Sequence, residues 1–304
     1  MAATRVFDLF NAYLGSTQVV GADSLRLTEG YRVQTANNDG GHGLAARDKT
    51  YYFAQAVLGC QEVEALPTVC AAFESADTLT LAAEGKLAGI PVSTKTLKVL
   101  MQRAKLVAAS LSIRQGGYAV SSFELRASAD PGSNGPEDEV TVSEVDSPAI
   151  THSSALRAVR VTGASFTPNG GSAITLQSPR GLDLAIRWAA DQAAGGSDFG
   201  EVVETGGFEI TGTLALQDVG LDANGRTPAQ ALLLADHGVL VVTYRPQASS
   251  SDKTITLKNV YFEGSDDSRT ARRFGEQTLR FGVFAQLGAD WYDFSGANKI
   301  LTVA

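Results

Sequence analysis

Two cysteines and three histidines are all that the 304 residues hold of those types, and each scarcity removes a class of function. Cys60 and Cys70 stand among apolar neighbours without a His or another Cys at ligand spacing. That argues against a zinc cage or a redox pair and predicts two buried thiols acting as small hydrophobes. His42, His152 and His237 are far apart in sequence, each in a predicted loop or helix end, so no pair has metal-binding spacing. His237, between Asp236 and Gly238, reads as a helix C-terminal residue whose charge suits the dipole. No run of about 18 apolar residues exists, which excludes a conventional transmembrane helix. The opening MAATRVFDLFNAYLG lacks a basic region followed by an apolar run and does not read as a signal peptide. The expectation is a chain made and kept in a cytoplasm, or packaged from one.

Catalytic signatures are equally scarce. Gly-x-Ser-x-Gly is absent, and Asp39-Gly40-Gly41-His42-Gly43 has the wrong order for a phosphate-binding loop, which leaves a hairpin tip. Asp266 and Asp267 are adjacent carboxylates, but the segment Glu263–Arg273 also holds Arg269, Arg272 and Arg273. A solvated or interface loop explains that mixture better than an acid/base pair. No catalytic, metal-ligating or cofactor-binding residue is assigned, and the chain is expected not to be an enzyme. The net charge of −8 with scattered basic residues offers no clamp for nucleic acid. An acidic surface does suit DNA that must slide past without phosphate-neutralising contacts.

What is abundant points to strands. Glycine contributes 31 residues, and turn clusters recur through the chain, which predicts a mainly β fold with a few short flanking helices. Phe208–Leu216 alternates apolar and polar residues except at Gly212, and Leu279, Phe281, Val283 and Ala285 alternate in the same way. Val239–Thr243 reads as a strand covered on both sides. In Thr254–Phe262 the apolar phase slips between Leu257 and Val260, which predicts a bulge or a change of sheet. Weaker strands are predicted at 17–35, 50–57, 68–73, 106–114, 119–128, 139–145, 156–163 and 172–177. Helical spacing predicts helices over 94–104 and 179–194, and Thr227-Pro228 predicts a capped third helix that Gly238 can end. Turn-rich segments near the midpoint suggest halves at 1–130 and 151–304 with a linker at 131–150, and one elaborated domain is the alternative. A loose likeness of layout between 25–58 and 255–288 hints at duplication.

The segments Phe208–Leu216, Gly238–Pro246, Thr254–Gly264 and Thr278–Ala285, with Leu14–Leu25 near the start, resemble the tail tube proteins of long-tailed bacteriophages. The resemblance implies a β-sandwich or partial barrel flanked by a helix. It implies hexameric or trimeric pseudo-hexameric rings of this chain, stacked into a virion tail that conducts DNA without specific binding and contacts other tail proteins. Residues 60–200 match nothing in that family, and the chain is longer than a minimal tube subunit. Two charged segments are the candidate inter-subunit contacts: Asp39, Arg47, Asp48 and Lys49 in 36–49, and Asp266, Asp267, Arg269, Arg272 and Arg273 in 263–273. The alternatives are another tail ring component, such as an adaptor, terminator or baseplate protein, and a carbohydrate- or receptor-binding sandwich. For the latter Trp291, Tyr292, Phe294, Tyr51 and Tyr52 are the candidate aromatic platform.

Overall fold

The computed structural model describes residues 3–37, 44–76, 78–88, 95–128, 140–146, 158–194, 201–217, 228–247, 249–268, 276–287 and 290–304. Its first unit consists of β1 (Ala3–Leu14), β2 (Thr17–Gln18), β3 (Ala22–Asn37), β4 (Leu44–Cys60), α1 (Ala65–Ser75), β5 (Leu79–Leu87), β6 (Lys95–Arg114), β7 (Val120–Ala127) and β8 (Val140–Asp146). The second consists of β9 (Val159–Pro168), β10 (Ile174–Leu176), β11 (Pro179–Ala194), β12 (Glu201–Gln217), α2 (Pro228–Leu233), β13 (Gly238–Pro246), β14 (Lys253–Ser268), β15 (Glu276–Val283), β16 (Gln286–Leu287), β17 (Asp290–Trp291) and β18 (Leu301–Val303).

In the first unit the antiparallel order β6-β5-β1-β3-β4-β7 closes on itself through a β6–β7 pairing. Alternation explains the closure: Leu25, Leu27, Ala56, Leu58, Phe123 and Leu125 turn inward while Arg26 faces solvent. In the second unit β9, β13, β14, β15, β12 and β11 follow the same order, but β9 and β11 are not paired among the described residues. Instead β11 pairs with β6, so one sheet runs through both units. Their interiors form one apolar cluster, from Phe7 and Phe123 to Phe166 and Phe281.

The two units repeat each other down to their irregularities. Ala104↔Ala127 and Leu106↔Leu125 between β6 and β7 recur as Val260↔Val283 and Phe262↔Phe281 between β14 and β15, each position moved by 156. Both ladders then skip one residue, at Leu106/Ala108 and at Phe262/Gly264. The β3–β4 break at Tyr31/Val33 recurs in β11–β12 at Trp188/Ala190. An edge-on Tyr31–Tyr52 pair beside the first becomes Trp188–Phe208 beside the second. Left-handed backbone also recurs, at Arg103 and Asn259 (φ 48° and 55°) and at Gly21 and Ser178 (φ 71° and 48°). Arg103 Nε donates to Ser128 O at 3.0 Å, and Asn259 Nδ2 donates to Phe284 O at 3.2 Å.

Several expectations need correction. Residues 94–104 and 179–194 are strand, not helix, wherever they are described. The bulge at Arg103 inserts a three-residue step between Met101 and Ala104, which mimics helical spacing. In the second case Leu182, Leu184 and Ile186 alternate inward, and Ala185, Ala189 and Ala193 supplied the false helical face. Residues 68–73, read as strand, belong to α1, whose Leu66, Val69, Cys70 and Phe73 form a buried stripe. α2 covers Pro228–Leu233, with Thr227 outside the described residues; it ends at Leu233, and Gly238 opens β13 instead of ending the helix. There an added Cβ would lie 2.1 Å from Thr167 O. The second face of β13 is only half-covered at Val239, Val241 and Thr243. The phase slip in Thr254–Phe262 is a bulge, centred on buried Asn259. The interval 131–150 contains β8, which pairs with β6; residues 131–139 and 147–150 lie outside the described residues. The segment 25–58 matches 182–214 rather than 255–288, because β3–β4 corresponds to β11–β12.

Asn259→Ala is expected to destabilise the protein by about 2 kcal/mol in urea denaturation, from a lost buried hydrogen bond and an alanine forced to positive φ. Arg103→Asn, which places the second unit's solution in the first, is expected to change stability by less than about 1 kcal/mol.

Candidate functional site

The end of β6 is where the units meet. Beyond the Arg103 bulge one edge of β6 holds β7, while the other holds β11 from Arg187↔Ala108 to Gly181↔Arg114. The following turn wedges between β11 and β9: Gln115 N–H donates to Arg180 O (2.9 Å), Gly116 N–H to Val159 O (3.0 Å), and Val159 N–H to Gly117 O (2.8 Å). On the inner face the pairs Leu111↔Leu184 and Ile113↔Leu182 are buried, which makes the seam part of the core. On the outer face Asp183 accepts hydrogen bonds from Ser112 Oγ (2.7 Å), Arg114 Nη2 (2.6 Å) and Thr213 Oγ1 (3.2 Å). A pocket of ≈ 440 Å³ flanks the seam, lined in part by Gln115, Val159, Arg160, Arg245 and Pro246.

The 156-residue correspondence places Gly264–Ser268 of β14 where Ala108–Ser112 of β6 stand. One edge of Gly264–Ser268 carries β15. Among the described residues no strand pairs with its other edge, the counterpart of the β6 edge that holds β11. Its sequence is polar, Gly-Ser-Asp-Asp-Ser, where β6 has Ala-Ala-Ser-Leu-Ser.

Further contacts join the units. Glu64, before α1, forms an ion pair with Lys253 and accepts a hydrogen bond from Tyr244 Oη at 3.3 Å. Burial pushes the Glu64 carboxyl up, but bonds from Lys253, its own backbone and Tyr244 outweigh it and hold the group below its ordinary value. Burial and then the Glu64 charge push the Tyr244 phenol up. Glu74 Oε2 of α1 accepts from Phe294 N–H (2.8 Å) and from Ser295 N–H and Oγ (2.9 Å each). Cys60 and Cys70 are buried free thiols whose ionisation burial opposes.

Of the residues singled out in the sequence, Asp39, Arg269, Arg272 and Arg273 lie outside the described residues. Arg47, Asp48 and Lys49 belong to β4, opposite Thr35, Gln34 and Val33, rather than to a loop. Asp266 and Asp267 are the two positions before Ser268, which ends β14, and lie opposite Thr278 and Gln277. Asp266 Oδ1 lies 3.6 Å from Arg280 Nη2 with both side chains exposed, so that pair contributes little. Among the described residues no strand pairing joins the β4 group to the β14 group. His237 precedes β13 and pairs with Asp236 at 2.8 Å. Trp291 is 66% exposed, Phe294 is buried, and a stacked Tyr261–Phe284 pair (4.3 Å) adds a surface aromatic group near the C-terminus. Asp183, within β11, and Glu64 and Lys253, at a helix and a strand end, escaped notice because lone polar residues carry no spacing signal. Among the described residues no three His, Cys, Asp or Glu cluster as a metal site, and no helix is long and apolar enough to cross a membrane. Compared with known proteins, the sequence matches no family model and no curated relative.

Glu64→Gln is expected to cost roughly 1 kcal/mol at pH 7, a modest figure because both partners are more than a third exposed. A carboxyl whose folded pKa is depressed stabilises above its unfolded value, near 4.5, and loses that contribution as pH falls through the folded pKa. Urea titrations of the two proteins should therefore converge as pH falls below 4.5 and through the folded pKa.

Proposed function

We propose that the chain is a virion structural protein, a subunit of a ring-stacked bacteriophage tail tube that gives the genome a channel. The observation that carries this reading is the β6–β11 seam, which joins two copies of one strand unit edge to edge in a head-to-tail sense. Head-to-tail joins are heterologous, and repeating one closes a ring or extends a filament. The outer edge of Gly264–Ser268 is the matching place for the next join. With two units per chain, a ring of three chains presents six units, the pseudo-hexameric form of the architecture that the sequence resembles. The partners are further copies of the chain, other tail proteins, and DNA that passes without specific binding, in keeping with the net charge of −8.

A second reading, a carbohydrate-binding module, draws support from exposed Trp291 and the Tyr261–Phe284 stack. At the corresponding positions the first unit has Lys105 and Ser128 in place of Tyr261 and Phe284, so the fold itself does not require these rings.

Negative-stain electron microscopy over a concentration series, with size-exclusion chromatography, is expected to show rings or hollow tubes of uniform diameter. A monomer at every concentration, together with binding in a glycan screen that Trp291→Ala abolishes, would replace the tube reading with the sugar-binding one.

A further inference from the structure

The repeated fold unit appears in this chain in two states, and the difference lies at one strand edge. Val6 and Ala158 are corresponding residues: Ala88 N–H donates to Val6 O at 2.8 Å, and Gln247 N–H donates to Ala158 O at 2.7 Å. From there the units diverge. In the first, Ala3–Val6 continue along β3 in the pairs Ala3↔Glu29, Thr4↔Thr28, Arg5↔Leu27 and Val6↔Arg26. In the second, the corresponding edge of β11 is occupied by β6. One unit is thus closed by its own leading strand and the other by a strand from its neighbour.

We infer that Ala3–Val6 is a placeholder, displaced from β3 when the Gly264–Ser268 edge of a second copy docks there. The proposal rests on the reading of the chain as self-assembling and names the contact. Transferring the β6–β11 register by the two offsets, 156 for β6 to β14 and 157 for β3 to β11, gives Gly30↔Gly264, Glu29↔Ser265, Thr28↔Asp266, Leu27↔Asp267 and Arg26↔Ser268. Four residues must leave. Phe7 is buried and stays paired with Leu87 of β5, so it anchors the strand behind the departing segment.

The exchange is close to balanced. Each state gives the β3 edge a backbone partner, so the difference falls on a few side chains. In the closed state Arg5 pairs with Glu29, and the Thr4 and Thr28 hydroxyls are 3.1 Å apart. The incoming strand sets Asp267 at the place of Arg5, beside Glu29, and brings Asp266 diagonal to Arg26. Glu29 therefore guards the edge twice, by holding Arg5 in place and by repelling Asp267. Polar residues at this edge also distinguish the join from the internal seam, where Leu111 stands at the position of Asp267, so docking is reversible and concentration-dependent.

The test uses the full chain carrying Thr28→Cys and Asp266→Cys, oxidised over a concentration series and run on non-reducing gels. Buried Cys60 and Cys70 stay silent. Interchain disulfides are expected to form at a rate that rises with concentration, and about fivefold faster when Glu29→Gln is added. A Thr28→Cys, Asp252→Cys control should remain monomeric. Hydrogen exchange on the unmodified protein reads the same event without substitutions: amides of Ala3–Arg5 should lose protection on assembly while Arg26–Gly30 keep theirs. Only monomer bands in both backgrounds, or Ala3–Arg5 amides that stay protected in assembled material, would overturn the exchange. Tubes that assemble without this disulfide sink the exchange and leave the tube reading standing. Disulfide-linked open filaments that never close into rings do the reverse.

Discussion

Backbone N–H and C=O groups along the edge of a sheet need partners, and in this chain one edge finds different partners in two otherwise matched settings. β3 satisfies it with β1, and β11 satisfies it with β6. Much of the architecture follows from that choice. β6 has to be long enough to serve its own unit first and its neighbour afterwards, and the bulge at Arg103 divides those duties. Before it β6 lies between β5 and β8, and beyond it between β7 and β11.

The irregular positions are held in place by hydrogen bonding and packing, not by residue identity. Arg103 and Asn259 differ in size and charge, yet each sits at positive φ and reaches the carbonyl of the residue just past the end of the neighbouring strand. Gly212 shows the complementary case. An added Cβ there would come 2.4 Å from the Phe281 ring and 2.7 Å from Asp183 O, so the gap in an otherwise apolar alternation is the space that a cross-strand aromatic fills.

Strand content was legible where alternation was undisturbed, as in Phe208–Leu216 and Leu279–Val283, and so was the bulge before Val260. It was misread where a bulge or a run of alanines imitated helical spacing, as at Met101–Ala104 and Leu182–Ala193. The duplication was barely visible because matched positions share apolar character and little else: Ala104 with Val260, Leu106 with Phe262, Ala127 with Val283. At these three positions the larger residue is in the second unit, whereas Phe123 of the first stands where the second has Leu279, so volume is apportioned differently between the two interiors. Of the candidate contacts, Asp266 and Asp267 were found for their charge, whereas their position on an edge that no described strand covers emerged only from strand register. The internal seam is apolar on one face and ordinary in composition, which leaves no mark in a single sequence.

Covalent fusion of the two units has a kinetic consequence. The polypeptide between β8 and β9 brings β6 and β11 together at an effective concentration set by its own length, whatever the amount of protein present. In any closed array of these chains half the joins are therefore made during folding of single molecules, and only the alternate ones depend on encounter. Such an array should come apart at every second join first, releasing intact pairs of units.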